Sequence, residues 1–303
     1  MKRRIPGVGA TLIRAVPVIC AALVTASASF ASGQAAQADS GVTAPRELGA
    51  LRDKVGTTAS RLLLPLYVVD TNSPNGPTTF YAILNESSTA ISIDANYYDA
   101  DTPYDPEMPA TPRFSQRLDL IPKQIQTFNV RSFVPQLAID GDGVARGYIV
   151  FEPVGGPAAI HGDYFRIDDE GNFASGSRLL NIDPASSGND LCTRFSIRFL
   201  NSALLFDSGT NLTVWFQPDL PYEGQAFAYS PFDISGGDSL FDLGFPSSNF
   251  AFEVPSSLLL TGVSSEFGSI EIDFGTGVGH VSAIMSALGR LSVGFEATCL
   301  DPI

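Results

Sequence analysis

The sequence predicts an all-β protein built of antiparallel β-sandwiches of the immunoglobulin-like or jelly-roll-like kind, two of them in tandem. Three observations carry this. Short segments rich in Val, Ile, Thr, Phe and Tyr alternate apolar and polar residues with a period of two, the pattern of strands that bury one face. Clusters of Asn, Asp, Gly, Ser and Pro separate them, and these are the residues that turns require. A stretch without apolar period, NIDPASSGND at residues 181–190, splits the strands into sets at 61–183 and 190–303, each of a size that suits one sandwich.

Ahead of the strands, MKRRIPGVGATLIR gives way to AVPVICAALVTASASFASGQAAQA. A cationic head, a short apolar stretch and then small residues form the layout of a secretory signal peptide over residues 1–38, with cleavage expected after Ala28 or Ala38. The apolar part is too short for a membrane span, which needs about 20 residues, and no later run approaches that length. Cys20 falls inside the apolar part, so it would leave with the leader. Export to the periplasm, the cell surface or the extracellular space is the expectation. Residues 39–60 read as a linker, with APRELGALRDKV as a short helix.

The N-terminal strands are TTFYAIL, TAISIDANYY, QIQTFNV, ARGYIVFEP and GDYFRI. In the C-terminal set, Thr193, Phe195, Ile197 and Phe199 alternate with Arg194, Ser196 and Arg198, and Ile270, Ile272 and Phe274 alternate with Glu271 and Asp273. NLTVWFQ and GRLSVGF continue the pattern, whereas HVSAIMSALG fits a helix or a strand equally well.

Composition excludes some partners. The chain has 32 acidic residues against 18 Lys and Arg, a net charge of −14, and the leader takes four of those cations with it. A field of this sign repels nucleic acid and anionic lipid, which bind through Lys and Arg clusters. A protein or glycan outside the cytoplasm is the partner class left. Once Cys20 is gone, Cys192 and Cys299 make an even pair in an oxidising compartment, and a disulfide between them would staple the first strand of the second sandwich to its last.

Chemistry has few carriers. His161 and His280 are the only histidines, so general-base catalysis has few candidates. GGDSL and FDSGT resemble hydrolase blocks in letters alone: Gly-Val-Gly stands before His280 where the first pattern wants an Asp, and no catalytic His motif precedes the second. No catalytic residue is assigned, and a non-catalytic binding or structural role is expected. The alternatives are a carbohydrate-active protein and a calcium-dependent adhesion module. Calcium is the one cofactor with candidate ligands: Asp99, Asp101, Asp105 and Glu107 follow the strand ending at Tyr98, although Pro103 and Pro106 interrupt the spacing and a solvated loop is the plainer reading. Asp140–Gly143 and Asp168–Asn172 read as Asp-Gly turns that need no ion.

For a ligand platform, parity places Leu212, Val214 and Phe216 inward and Trp215, the sole tryptophan, on the opposite face. An outward Trp can stack on a sugar ring or anchor a partner, with Tyr222, Phe227, Tyr229 and Phe232 in the Pro- and Gly-rich stretch that follows. Burial of Trp215 beneath that stretch is the competing expectation. Asn85 and Asn211 open glycosylation triplets, which turn-edge asparagines also explain.

Overall fold

The structure is a computed structural model that describes residues 61–302, apart from 103–110, 168–173, 184–185, 187, 201–209, 218–224, 230–249, 256–266 and 288–290. The described residues belong to one compact unit, residues 47–303. It is nearly all strand, in three antiparallel sheets.

The N-terminal half holds two of these sheets. One has five strands in the order β4 (Phe114–Leu120), β3 (Ile91–Asp99), β6 (Val144–Pro153), β1 (Leu62–Asp70) and β9 (Leu180–Asn181). The other has four, in the order β5 (Ile125–Asn129), β2 (Thr78–Asn85), β7 (Ile160–Ile167) and β8 (Ala174–Arg178). Tyr81 and Tyr97, one from each sheet, share a hydroxyl–hydroxyl hydrogen bond of 2.8 Å inside a core that also contains Leu64, Ile83 and Phe151. Burial with this single partner raises both phenols far above their ordinary pKa, so they stay neutral.

All described strands of the C-terminal half join one eight-stranded sheet. Its order is β12 (Gln225–Tyr229), β14 (Phe267–Asp273), β10 (Cys192–Leu200), β15 (Val278–Ala287), β11 (Thr210–Gln217) and β13 (Ala251–Pro255). The ambiguous segment HVSAIMSALG is therefore strand, up to Ala287. β16 (Leu291–Glu296) and β17 (Thr298–Pro302) are separated by Ala297 alone; the first pairs with β15 and the second with β10. Switching partners in this way turns the corner of a folded sheet. Phe195, Ile197, Leu212, Val214, Ile270 and Ile272 form the core on its inner face, as their alternation requires. Cys192 and Cys299 are bonded, with Cα atoms 5.9 Å apart.

A third core cluster joins the halves, and the sequence hides it for a physical reason. β1, LLLPLYVVD, does not alternate. Leu62 and Leu64 enter the N-terminal core while Leu63 and Leu66 pack with Trp215, Tyr148 and Ala251 on the other side. A strand covered on both faces reads as a continuous apolar run, and Pro65 lies where its register against β6 shifts. The β1–β6 pair also needs Gly147, since a Cβ there would meet the Tyr98 carbonyl at 2.0 Å and the Tyr67 hydroxyl at 2.5 Å.

Trp215 is the correction. Parity aims it away from the C-terminal core, as expected, but that face is roofed by the N-terminal half and the indole is 0 % exposed. It meets Tyr148 edge to face, with ring centroids 6.0 Å apart. It cannot stack on a sugar or anchor an external partner in this fold.

Candidate functional site

A cleft of about 760 Å³ opens along the seam between the halves. Its N-terminal wall is laid by the end of β3, the turn after it and the Asp140–Gly143 turn that leads into β6. Its C-terminal wall comes from β13 with Asn211 of β11, and Arg166 of β7 reaches across. Ala100 ties the walls together, its carbonyl accepting the Phe250 and Ala251 N–H groups at 2.9 Å each. The apolar floor includes Leu66 and Ala251.

Two guanidiniums are held in place by carboxylates. Arg166 donates to Glu253 through two bonds of 2.7 and 3.0 Å, a bidentate pair that bridges the halves. Arg146 donates to Asp140 at 2.7 Å and to Asp142 at 3.2 and 2.8 Å. The turn that presents Asp140 and Asp142 closes through Gly143 at φ 80°, a conformation that favours glycine. The Asp142 carbonyl takes the Asn72 side-chain amide at 2.9 Å. Protein groups satisfy this turn, in keeping with the Asp-Gly turn expected there.

Asp99 differs from these. It sits where β3 ends, half-buried in the cleft wall, and burial raises its carboxyl above the ordinary carboxylate pKa. Asp101 and Asp140 add to the rise, while Arg113 and the Ala138 N–H oppose it. The Oδ1 atom is buried and accepts no hydrogen bond from the described residues. A carboxyl whose folded pKa lies above its unfolded value penalises the native state once ionised, and the penalty fades as pH falls through the folded pKa. Asp99→Asn is therefore expected to raise the melting temperature at pH 7, with the gain shrinking as pH drops into the carboxylate range. A lower melting temperature at pH 7 would contradict this account of Asp99.

Of the four proposed calcium ligands, Asp99 and Asp101 both line the cleft, and Asp105 and Glu107 lie outside the described residues. Among the described residues no three of His, Cys, Asp and Glu stand close enough together to hold a metal ion. Of the aromatic platform, Tyr222 and Phe232 also lie outside the described residues. Phe227 and Tyr229 are in β12, paired with Glu271 and Ser269 of β14. Phe252 of β13 borders the cleft, but its ring meets Phe216 of the C-terminal core, centroids 6.4 Å apart, and alternation sets it on the face opposite Ala251 and Glu253. In AFEVP, Phe252 and Val254 pack against the C-terminal core, but the strand is too short and too near the long Pro- and Gly-rich stretch for that signal to stand out.

The histidines lie elsewhere. His161 is exposed on β7, as is Asp163 two residues on. His280 is buried beside Phe195, ring centroids 5.7 Å apart, and burial lowers its pKa. GGDSL and most of FDSGT lie outside the described residues. Asn85 is 0 % exposed; its amide donates to the Thr89, Leu120 and Ile121 carbonyls and its oxygen accepts the Ser87 N–H and hydroxyl. Asn85 thus pins a turn and is closed to a glycan in the folded chain, whereas Asn211 lines the cleft. Among the described residues no helix is long and apolar enough to cross a membrane. Compared with protein-family models, with curated proteins and with solved structures, the chain matches none.

Proposed function

We propose that this is an exported, non-catalytic binding protein that holds its ligand in the cleft between its two halves. The observation that carries the reading is the cleft itself, about 760 Å³, within the range of roughly 300–1,000 Å³ that ligand sites occupy. Its lining supports binding rather than bond-making. Carboxylates, guanidiniums, the Asn211 amide and apolar side chains face the space, and the two guanidiniums are already committed to fixed geometry by Glu253, Asp140 and Asp142. Fixed polar groups over an apolar floor lower the ordering cost of binding. The leader, cut after Ala28 or Ala38, and the disulfide fit export, and the acidic balance fits a partner outside the cytoplasm, a glycan or a protein.

A calcium-dependent role is the second reading, favoured by Asp99 and Asp101 standing together at the cleft. One set of melts tests both. The processed protein is melted with neutral trisaccharides, with spermidine, with citrate, and with millimolar calcium against excess EDTA. A ligand at a hundred times its Kd adds about 2.7 kcal/mol, so a rise of several degrees is expected from one of these. That rise should disappear in Asp99→Asn. Melts that superimpose under all four conditions would remove the binding reading and leave a structural role, and a rise with calcium alone would establish the second.

A further inference from the structure

We infer that the ligand of this cleft is a neutral polyhydroxylated molecule, a saccharide; the inference rests on the cleft being a binding site. The lining decides the class by what each charge type would meet. An anion would face Asp99, Asp101, Asp140 and Glu253. A compact organic cation would find Asp140 and Glu253 already engaged by Arg146 and Arg166, leaving it only the Asp99 and Asp101 carboxylates of the lining. A metal ion finds no group of three suitable donors among the described residues. A sugar hydroxyl both donates and accepts, so it can use both kinds of wall at once without neutralising either.

The geometry suits that chemistry. The two guanidiniums and their carboxylate partners are planar and fixed in orientation by the pairs described above. They therefore present hydrogen-bonding edges in set directions. Asp99 and Asp101 bring carboxylates to the same wall, and the Ala138 N–H engages the Asp99 carboxylate. Asn211 adds an amide that offers both a donor and an acceptor from the opposite wall. Leu66 and Ala251 give a small apolar surface for the C–H face of a ring.

Trp215 provides the readout. It is the sole tryptophan, it pairs in register with Ala251, and Ala251 lines the cleft, so its emission reports on that wall. The processed protein is titrated with maltotriose, cellotriose, mannotriose and chitotriose, following Trp215 emission and melting temperature, with spermidine and triglucuronic acid as charged comparisons. The expected result is saturable binding of at least one neutral trisaccharide and none of the charged probes. Asp99→Asn and Asp101→Asn should each weaken that binding at least tenfold, while Asp119→Asn, on β4 away from the cleft, should leave it unchanged. Spermidine binding in place of the neutral sugars would overturn the saccharide assignment, and triglucuronic acid binding in their place would overturn its neutrality; either would keep the cleft as a binding site. Saccharide binding that ignores both cleft substitutions would overturn the assignment to this cleft. Silence from every probe, charged and neutral, would overturn both.

Discussion

Replacing Trp215 with Ala is expected to lower the stability of the whole described unit by about 3–5 kcal/mol, the range for truncating a fully buried Trp. The indole is completely buried and sits in the cluster that draws Leu63, Tyr148 and Val150 from one half and Ala251 from the other. Truncation therefore opens a cavity at the joint between the halves, where neither core can relax to fill it. Urea unfolding followed by far-ultraviolet circular dichroism measures this, and the loss should be shared by both halves. Trp215→Phe keeps a ring in place and should cost less. A double-mutant cycle with Tyr148→Ala should return a coupling of at least about 0.5 kcal/mol for the edge-to-face pair. An outward, ligand-stacking Trp would behave otherwise: its removal would change stability by no more than about 0.5 kcal/mol. That outcome would reinstate Trp215 as a platform and dissolve the shared core.

Trp215 also shows where sequence reading stops. Its parity was legible, because side chains alternate across a strand whatever lies above them. What lies above the outer face was not, since a partner layer contributed from far away in the chain leaves no mark on NLTVWFQ. The same limit hid β1. A strand sandwiched between two cores keeps no alternation, and LLLPLYVVD offers a run of apolar residues broken by Pro65, a combination that helix and strand both leave open. By contrast Phe195, Ile197, Ile270 and Ile272 each face one core and one solvated side, and their pattern gave the C-terminal sheet directly.

The cleft was half legible for a similar reason. Asp99 and Asp101 stood out as acids following a strand, and the DGDG turn stood out as a turn. Their convergence with Arg166 and Glu253 depends on β7 and β13 meeting across the seam; Arg166 and Glu253 are 87 residues apart in the chain. No periodicity encodes a pair at that distance. The available signal was charge placement: Arg166 sits in a strand, GDYFRI, among large aromatic and aliphatic residues, and a cation half-buried there needs a carboxylate from somewhere. Glu253 meets that need from a strand that the local sequence around Arg166 does not mark.

The Cys192–Cys299 bond was legible from counting alone, and its removal is the second large effect expected. The two residues are 107 apart in sequence, so the bond restricts a long loop of the unfolded chain, for which the entropy argument gives up to about 4–5 kcal/mol and practice gives about 2–4. Cys192 is buried in the C-terminal core at the start of β10, and Cys299 lies on β17, the strand that has just switched from β15 to β10. The bond thus holds the corner of the folded sheet as well as shortening the unfolded chain. Cys192→Ala with Cys299→Ala is expected to lower stability by about 2–4 kcal/mol in urea. The N-terminal core, in which neither cysteine takes part, should feel the loss only through the shared cluster around Trp215. If so, hydrogen exchange in the double variant will accelerate first in β10 and β17, and later in β2 and β3. An intact mass with two alkylatable thiols in the purified protein would remove the disulfide, and equal acceleration in all four strands would show that the halves unfold as one.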